Sequence, residues 1–295
     1  MRAVSTIERF WLAYCACVIA AVTIAAGAWG APAPDGFQPL AFVALHVAVA
    51  ALQAIPVRLQ RRGRTDAARI ARCAIAIGGL PLVFTALALA LPHANPEAWE
   101  VLWLRMDLAV LGGEATNGLR LLATEPVLAI LQVIYAGFYA APIVACVMVL
   151  RQRGAVAFDR SVAAVTGGFL LSYLGYLLFP TLGPKDVVPL DVAPAGETMA
   201  WLHTLLHEAE ANHWDCFPSG HTMMSWLAAR IAVNAKCRGA VWLVAYALAV
   251  AFSTLVLRYH WPIDAIVGFF AVPLWLRACD AMLDRDGAAR DQPIW

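Results

Sequence analysis

The sequence predicts an all-α fold, a polytopic membrane helix bundle of about eight transmembrane helices. The first reason is composition: of 295 residues, 62% are hydrophobic and 14% are charged, whereas about 25% of an ordinary soluble domain is charged. A soluble fold of this size could not bury so much apolar side-chain surface. The second reason is that apolar runs recur along the chain, with lengths near the roughly 20 residues that a helix needs to cross a bilayer.

Eight apolar segments define the candidate spans. The first three are predominantly apolar runs between basic or polar loops, and several later ones begin beside a proline. Pro218 and Pro262 each suit the first turn of a helix, where a missing backbone N–H is tolerated. In order, the spans are Phe10–Trp29, Phe37–Val57, Ile70–Leu91, Pro126–Leu150, Val162–Phe179, Pro218–Val233, Ala240–Leu257 and Pro262–Ala278.

The basic residues predict the orientation of these spans. With the N-terminus in the cytoplasm and eight crossings, 17 of the 21 Lys and Arg residues fall on the inner side. The other four fall on the outer side: Arg105, Arg120, Lys185 and Arg258. This asymmetry follows the positive-inside rule and supports the count of eight, because one missed span would mix the two sets.

The first span is open to a second interpretation, as a secretory signal. Arg2 and Arg9 precede its apolar run, and small residues follow at Ala26–Ala33. The run is long for the apolar region of a signal peptide. We therefore interpret it as a retained span.

Composition excludes several functions. The net charge is +1 and no basic tract is present, so we expect no nucleic-acid partner. The seven Cys form no Cys-x-x-Cys pair, and we interpret them, Cys216 included, as packed thiols. His203-x-x-x-His207 has metal-like spacing but lacks the His-Glu-x-x-His order of zinc proteases. We interpret that stretch as a wet amphipathic lid, and we expect no metal and no other cofactor.

The segment Cys216–Thr222 contains the first candidate site. Pro218 marks a helix start, and Gly220 lets a ligand approach the backbone. Ser219 and Gly220 would therefore bind phosphate through the free N–H groups of that start. His221 in the first turn could donate a proton to a departing oxygen. The alternative is a capped helix with an interfacial His.

The segment Arg258–Asp264 contains the second candidate site, and Pro262 again marks a helix start. His260 and Asp264 are four residues apart, so the carboxylate can fix one ring nitrogen and leave the other as a nucleophile. Arg258 could hold phosphate oxygens. The alternative is a local His–Asp bond that tethers a loop. Both candidate sites begin a helix on the same predicted face, which favours a shared phosphate site over chance.

These two motifs resemble a known family. Pro218-Ser219-Gly220-His221 and His260-x-x-x-Asp264 are similar to the second and third signature blocks of the type 2 phosphatidic acid phosphatase superfamily of membrane enzymes. The third block also contains a Ser, matched by Ser253, and then an Arg, where this chain has Thr254.

The first signature block also differs. Its Lys is matched by Lys185, but Val192 stands where the family has Arg. The two departures favour the inositol phosphorylceramide synthase and sphingomyelin synthase branch, which is similar in having an aromatic residue beside the catalytic His, as in His260-Trp261. Tyr135 and Tyr139 lie in a run that resembles the Tyr-rich helix of that branch.

The resemblance implies a lipid phosphotransferase that works through a phosphohistidine. His260 would attack phosphorus with Asp264 in support, and His221 would protonate the leaving group. Lys185 and Arg258 would replace the missing Arg residues. The substrate would be a phospholipid or polyprenyl phosphate, and the acceptor a lipid alcohol. The alternative is a lipid phosphate or polyprenyl diphosphate phosphatase that uses water.

The remaining expectations concern organisation and rival functions. Residues 1–92 would form N-terminal transmembrane helices, residues 93–280 the phosphatase-like catalytic membrane domain and residues 281–295 a polar cytoplasmic tail. We expect a bacterial inner-membrane protein with its site facing the periplasm. Asp107, on an outer loop, could bind a polar headgroup or could simply face water. A transporter is the main rival class, but the polar residues gather at one face and not at the midplane.

The predicted orientation can be tested by thiol labelling. In a variant without native Cys, a single Cys placed at Gly63 should be shielded from an impermeant thiol reagent in intact cells, whereas one at Ala195 should react. The reason is the distribution of basic residues across the predicted loops. The reverse pattern would place the site in the cytoplasm and exclude outer-leaflet substrates.

Overall fold

The protein is described by a computed structural model that covers residues 5–29, 39–94, 99–111, 115–188, 201, 204 and 213–284. These residues are overwhelmingly helical and contain no strand, so the predicted all-α bundle is confirmed. The helices are α1 (Thr6–Trp29), α2 (Pro39–Leu52), α3 (Ala54–Arg61), α4 (Thr65–Ala94), α5 (Trp99–Leu111), α6 (Ala115–Leu122), α7 (Glu125–Ala136), the 3₁₀ turn Gly137–Tyr139, α8 (Ala140–Arg153), α9 (Ala155–Leu178), α10 (Pro184–Val187), α11 (Gly220–Asn234), α12 (Ala240–Val256) and α13 (Pro262–Asp284).

Six segments of the described chain are long and apolar enough to cross a membrane. They are Thr6–Ile24, Pro39–Arg61, Thr65–Leu91, Glu125–Arg153, Ala155–Leu178 and Pro262–Leu283. The other two predicted spans are also helical, but α11 has 15 residues and α12 has 17, so the count of eight stays a prediction.

Two of the predicted spans are interrupted. The second is divided into α2 and α3 near Pro56, and the fourth passes through the 3₁₀ turn between α7 and α8. Proline lacks the N–H that would bond to the carbonyl four residues earlier. Pro142 therefore removes a bond to Phe138, within the turn where the helix tightens.

The centre of the bundle is formed by α9 and α11, whose side chains are mostly buried. Against α9 pack the N-terminal helices α1 and α4, and against α11 pack α8, α12 and α13. The indole N–H of Trp275 on α13 donates to the Ala164 carbonyl of α9 at 2.8 Å. The N-terminal helices thus share one apolar core with the C-terminal half.

Ion pairs join the helices at the end of the bundle where α1, α4 and α9 begin and α13 ends. Arg72 pairs with the buried Glu8 at 2.7 Å, which links α4 to α1. Arg69 pairs with Asp159 at 2.7 Å, and Arg160 pairs with Asp280 at 3.1 Å. The histidine motifs lie at the opposite end, where α9 ends and α11 and α13 begin.

Candidate active site

The starts of α11 and α13 are joined through their backbones. The Ser219 N–H donates to the Asp264 carbonyl at 3.1 Å. The Ser219 hydroxyl in turn caps α11 by accepting the Thr222 N–H at 3.3 Å. A Cβ at Gly268 would lie 2.7 Å from the Ser219 carbonyl oxygen, so only glycine permits this close approach. The two sequence motifs therefore meet in space.

The two motif histidines face each other. His221 Nδ1 lies 3.2 Å from His260 Nε2. On its other side, His260 Nδ1 lies 3.0 Å from the Cys216 carbonyl oxygen and 3.3 Å from Asp264 Oδ2. Both of these groups are acceptors, so they favour the tautomer with its proton on Nδ1. The lone pair of Nε2 then points toward His221.

Cys216 is a site residue that the sequence analysis did not assign. Its buried thiol donates to Asp264 Oδ2 at 2.8 Å and lies 3.5 Å from His260 Nδ1. Burial raises the pKa of this thiol well above its usual range, so it stays a protonated donor at neutral pH. Asp264 Oδ2 also accepts the Trp261 N–H at 3.0 Å, which caps α13. Cys216, His260 and the Trp261 N–H thus all hold the Oδ2 atom of Asp264.

Cys216, His260 and Asp264 also form a cluster that could ligate a metal ion. Within the described part of the chain, the ligand atoms of Cys216, His260 and Asp264 lie within 4.8 Å of one another. All three are already joined by short hydrogen bonds. His203 and His207 of the predicted lid lie outside the described residues.

Aromatic rings support the two histidines. Tyr135 stacks on His221 with ring centroids 4.1 Å apart, and on its other face stacks on Tyr259 at 4.3 Å. The Tyr259 hydroxyl accepts a hydrogen bond from the Gln132 amide at 2.9 Å. Lys185 Nζ lies 4.0 Å from the centre of the Tyr259 ring, a cation–π contact. One stacked column thus runs from His221 to Lys185.

The two cations predicted for the site have different surroundings. Arg258 is buried, and its Nη2 donates to the carbonyl oxygen of Pro184 at 3.0 Å and to that of Val188. The Arg258 carbonyl accepts the Lys185 N–H at 2.9 Å. Arg258 therefore holds the backbone of α10, and α10 carries Lys185 into a polar crevice that is also lined by His260.

The remaining predicted residues lie around this centre. Asp107 is buried and accepts the N–H of Ile263 in the first turn of α13, so it contacts the helix start that carries Asp264. Burial, aided by the Asp264 charge, raises the pKa of Asp107 to about 6. Tyr139 is half exposed and packs on Phe138 at 3.9 Å, and Phe138 in turn packs on His221 at 4.0 Å.

The crevice between these groups has a volume of about 20 Å³, room for about one water molecule. Its lining includes His213 and Asp215, which the sequence analysis did not place at the site. His221 Nδ1 is in hydrogen-bond contact with His260 Nε2. A phosphoryl group can therefore reach Nε2 only when His221 moves aside.

The fold and this pair of histidines form a membrane helix bundle with a candidate active site at one end. A family model described as the PAP2 superfamily matches residues 104–277, more than half of the chain, and covers His221, His260 and Asp264. The chain therefore belongs to the PAP2 superfamily, and it is an integral membrane enzyme of the phosphatase type that acts on lipid phosphoesters. No curated protein and no solved structure matches it significantly.

The His260 environment predicts the pH dependence of activity. Burial lowers the pKa of His260, but the charge and hydrogen bond of Asp264, the Asp215 charge and the hydrogen bond to the Cys216 carbonyl together outweigh burial and raise the pKa above its usual value. A nucleophilic His260 must be neutral, so kcat/KM should fall as the pH drops, with a midpoint above about 6.5. Asp264→Asn should lower both the rate and this midpoint. A wild-type midpoint below 6.5, or one that Asp264→Asn leaves in place, would contradict the assignment.

Proposed function

We propose that the protein is a lipid phosphotransferase of the outer leaflet. It cleaves a lipid phosphodiester or diphosphate through a phosphohistidine and passes the phosphate-bearing group to an alcohol, such as a ceramide-like lipid. The observation that carries this proposal is the contact of 3.2 Å between His221 Nδ1 and His260 Nε2, with Nδ1 of His260 held by Cys216 and Asp264.

In the first step, His260 Nε2 attacks phosphorus. A P–N bond forms, a P–O bond breaks, and the leaving oxygen takes a proton from His221. Asp264 stabilises the positive charge that develops on the His260 ring, since its Oδ2 lies 3.3 Å from Nδ1. In the second step, His221 removes the proton of the acceptor alcohol as that oxygen displaces Nε2, which restores both histidines.

Negative charge on the phosphoryl oxygens is met by Lys185 and by the N-terminus of α11. The first turn of that helix begins at Gly220, where a Cβ would collide with the Tyr176 hydroxyl. Backbone N–H groups at a helix start stabilise an anion without side-chain reorganisation. We assign Arg258 an indirect part, because it positions the Lys185 segment through the Pro184 carbonyl.

The transferase assignment rests on how few cations surround phosphorus. Thr254, where the family has Arg, is buried in α12, and its hydroxyl donates to the Ala251 carbonyl at 2.7 Å. The crevice contains Lys185 together with Asp186 and Asp215. A monoester dianion needs more positive charge than this, whereas a diester or diphosphate carries less charge per phosphorus. Hydrolysis by water is the alternative outcome.

We also propose the location and the division of the chain. The site would face the periplasm from a bacterial inner membrane, because 17 of 21 basic residues fall on the other side of the predicted topology. Residues 93–280 would form the catalytic membrane domain, preceded by the N-terminal helices of residues 1–92.

The nucleophile assignment predicts the behaviour of two variants. His260→Ala should lower turnover of a lipid phosphoester by at least about a thousandfold, because the covalent intermediate cannot form. It should also abolish labelling by a donor with radioactive phosphorus. His221→Ala should slow turnover and still permit labelling of His260. Circular dichroism controls for folding, and a labelled, active His260→Ala protein would exclude the mechanism.

The donor preference separates transfer from hydrolysis. Purified enzyme should release diacylglycerol, or a prenyl-like lipid, from a diester or diphosphate donor faster than it releases inorganic phosphate from phosphatidic acid. Adding a lipid alcohol should yield a new phospholipid, identified by mass spectrometry. The matched control is the His260→Ala protein from the same preparation. If phosphatidic acid is the best donor and no alcohol captures the phosphoryl group, the protein is a phosphatase.

A further inference from the structure

A cavity of about 670 Å³ lies between α4, α8 and α9. On α4 its lining residues recur every three or four positions from Cys73 to Thr85, so they form one face of the helix. At 1.5 Å per residue this face is about 18 Å long, more than half of the roughly 30 Å hydrocarbon core of a bilayer. The cavity is therefore a long slot along the bundle, and we call it the α4–α9 slot.

The α4–α9 slot is open on its side. Both α4 and α8 pack against α9, but few contacts join α4 to α8. Two lining residues on either side of the opening, Ile77 on α4 and Ile143 on α8, are 65% and 54% exposed. In a membrane these side chains face hydrocarbon. A lipid chain could thus enter sideways, without leaving the bilayer.

One end of the slot reaches the histidine pair. His221 and Asp215 line the slot at this end, and Tyr135 lines both the slot and the polar crevice. The far end, near Cys73 and Ala76, is apolar. The lining thus changes from polar to apolar along the slot. This change suits an amphipathic molecule with its phosphate at His260 and its hydrocarbon along α4.

We propose that the α4–α9 slot binds a hydrocarbon chain of the lipid donor and that α4 selects for its length. This inference rests on the proposed function and adds to it, because α4 lies before the segment that the family model matches. A chain that enters from the bilayer already lies in hydrocarbon, so the slot selects by shape and packing and not by removing methylenes from water. A chain that ends near Thr85 would leave the part around Cys73 and Ala76 empty.

A matched pair of variants tests the selection. Ala76→Phe fills the far end of the slot, whereas Ala74→Phe places the same ring on the exposed face of α4. Turnover is measured for dioctanoyl and dioleoyl forms of both phosphatidic acid and phosphatidylinositol. Ala76→Phe should lower kcat/KM at least about tenfold for dioleoyl donors, because the ring overpacks the space that the longer chain needs, and less than about twofold for dioctanoyl donors. Ala74→Phe should change neither, and an equal loss for both chain lengths in Ala76→Phe would overturn the proposal.

A binding measurement keeps the test independent of activity. In the His260→Ala protein, which consumes no donor, N-ethylmaleimide labelling of Cys73 is followed by peptide mass spectrometry. Dioleoyl phosphatidic acid should slow this labelling and dioctanoyl phosphatidic acid should not, relative to Cys17, which is exposed on α1. Equal rates of Cys73 labelling with both lipids would overturn the proposed role of the slot, even if catalysis is as proposed. Protection of Cys73 without turnover by the wild type would support the slot and contradict the proposed function.

Discussion

The active site depends on the direct junction between two helix starts. A helix that begins within the bundle leaves backbone N–H groups without intrahelical partners, and a membrane protein must satisfy these groups internally. Here the Ser219 N–H at the start of α11 is satisfied by the Asp264 carbonyl of α13, and the Cys216 carbonyl accepts from His260. Backbone groups of each histidine motif thus fix the position of the other motif. The histidines meet because the main chain holds them, and Gly268 permits the required approach.

Helix α5 supports the loops around this junction. The Trp103 indole N–H donates to the Thr181 hydroxyl at 3.2 Å, and its ring stacks on Phe217 at 4.3 Å. The Glu100 carboxylate accepts the Leu182 N–H at 2.8 Å. A loop that carries buried polar backbone needs such partners. The aromatic and acidic residues of α5 therefore hold the segment that leads to Lys185.

The features of the structure that the sequence predicted are those that leave a local or compositional signal in it. Hydrophobic runs indicated the helices, and Pro218 and Pro262 indicated the two helix starts. Contacts between distant segments could not be predicted in this way: the stacking of Tyr135 on His221 joins residues 86 positions apart, and the thiol of Cys216 reaches Asp264 across 48. Arg258 is the instructive case. It lies two residues before His260, and the sequence suggested that it could hold phosphate oxygens. In the structure its backbone is left-handed, with φ of 61°, and its guanidinium donates to the Pro184 carbonyl instead.

In the proposed mechanism, chemistry and lipid selection occupy different parts of the bundle. The histidines and Asp264 belong to the segment matched by the family model, whereas one wall of the α4–α9 slot comes from a helix that precedes it. Phosphoryl transfer is mainly a matter of position and charge, so the histidine pair constrains its neighbours tightly. A wall that contacts hydrocarbon is constrained only in shape and volume, and volume-conserving apolar changes are well tolerated. Changes in α4 can therefore alter which lipid is accepted without disturbing the hydrogen bonds at Asp264. In the proposed transfer, the tight crevice at His260 would act on the acceptor instead, because an acceptor would enter where His221 moves aside.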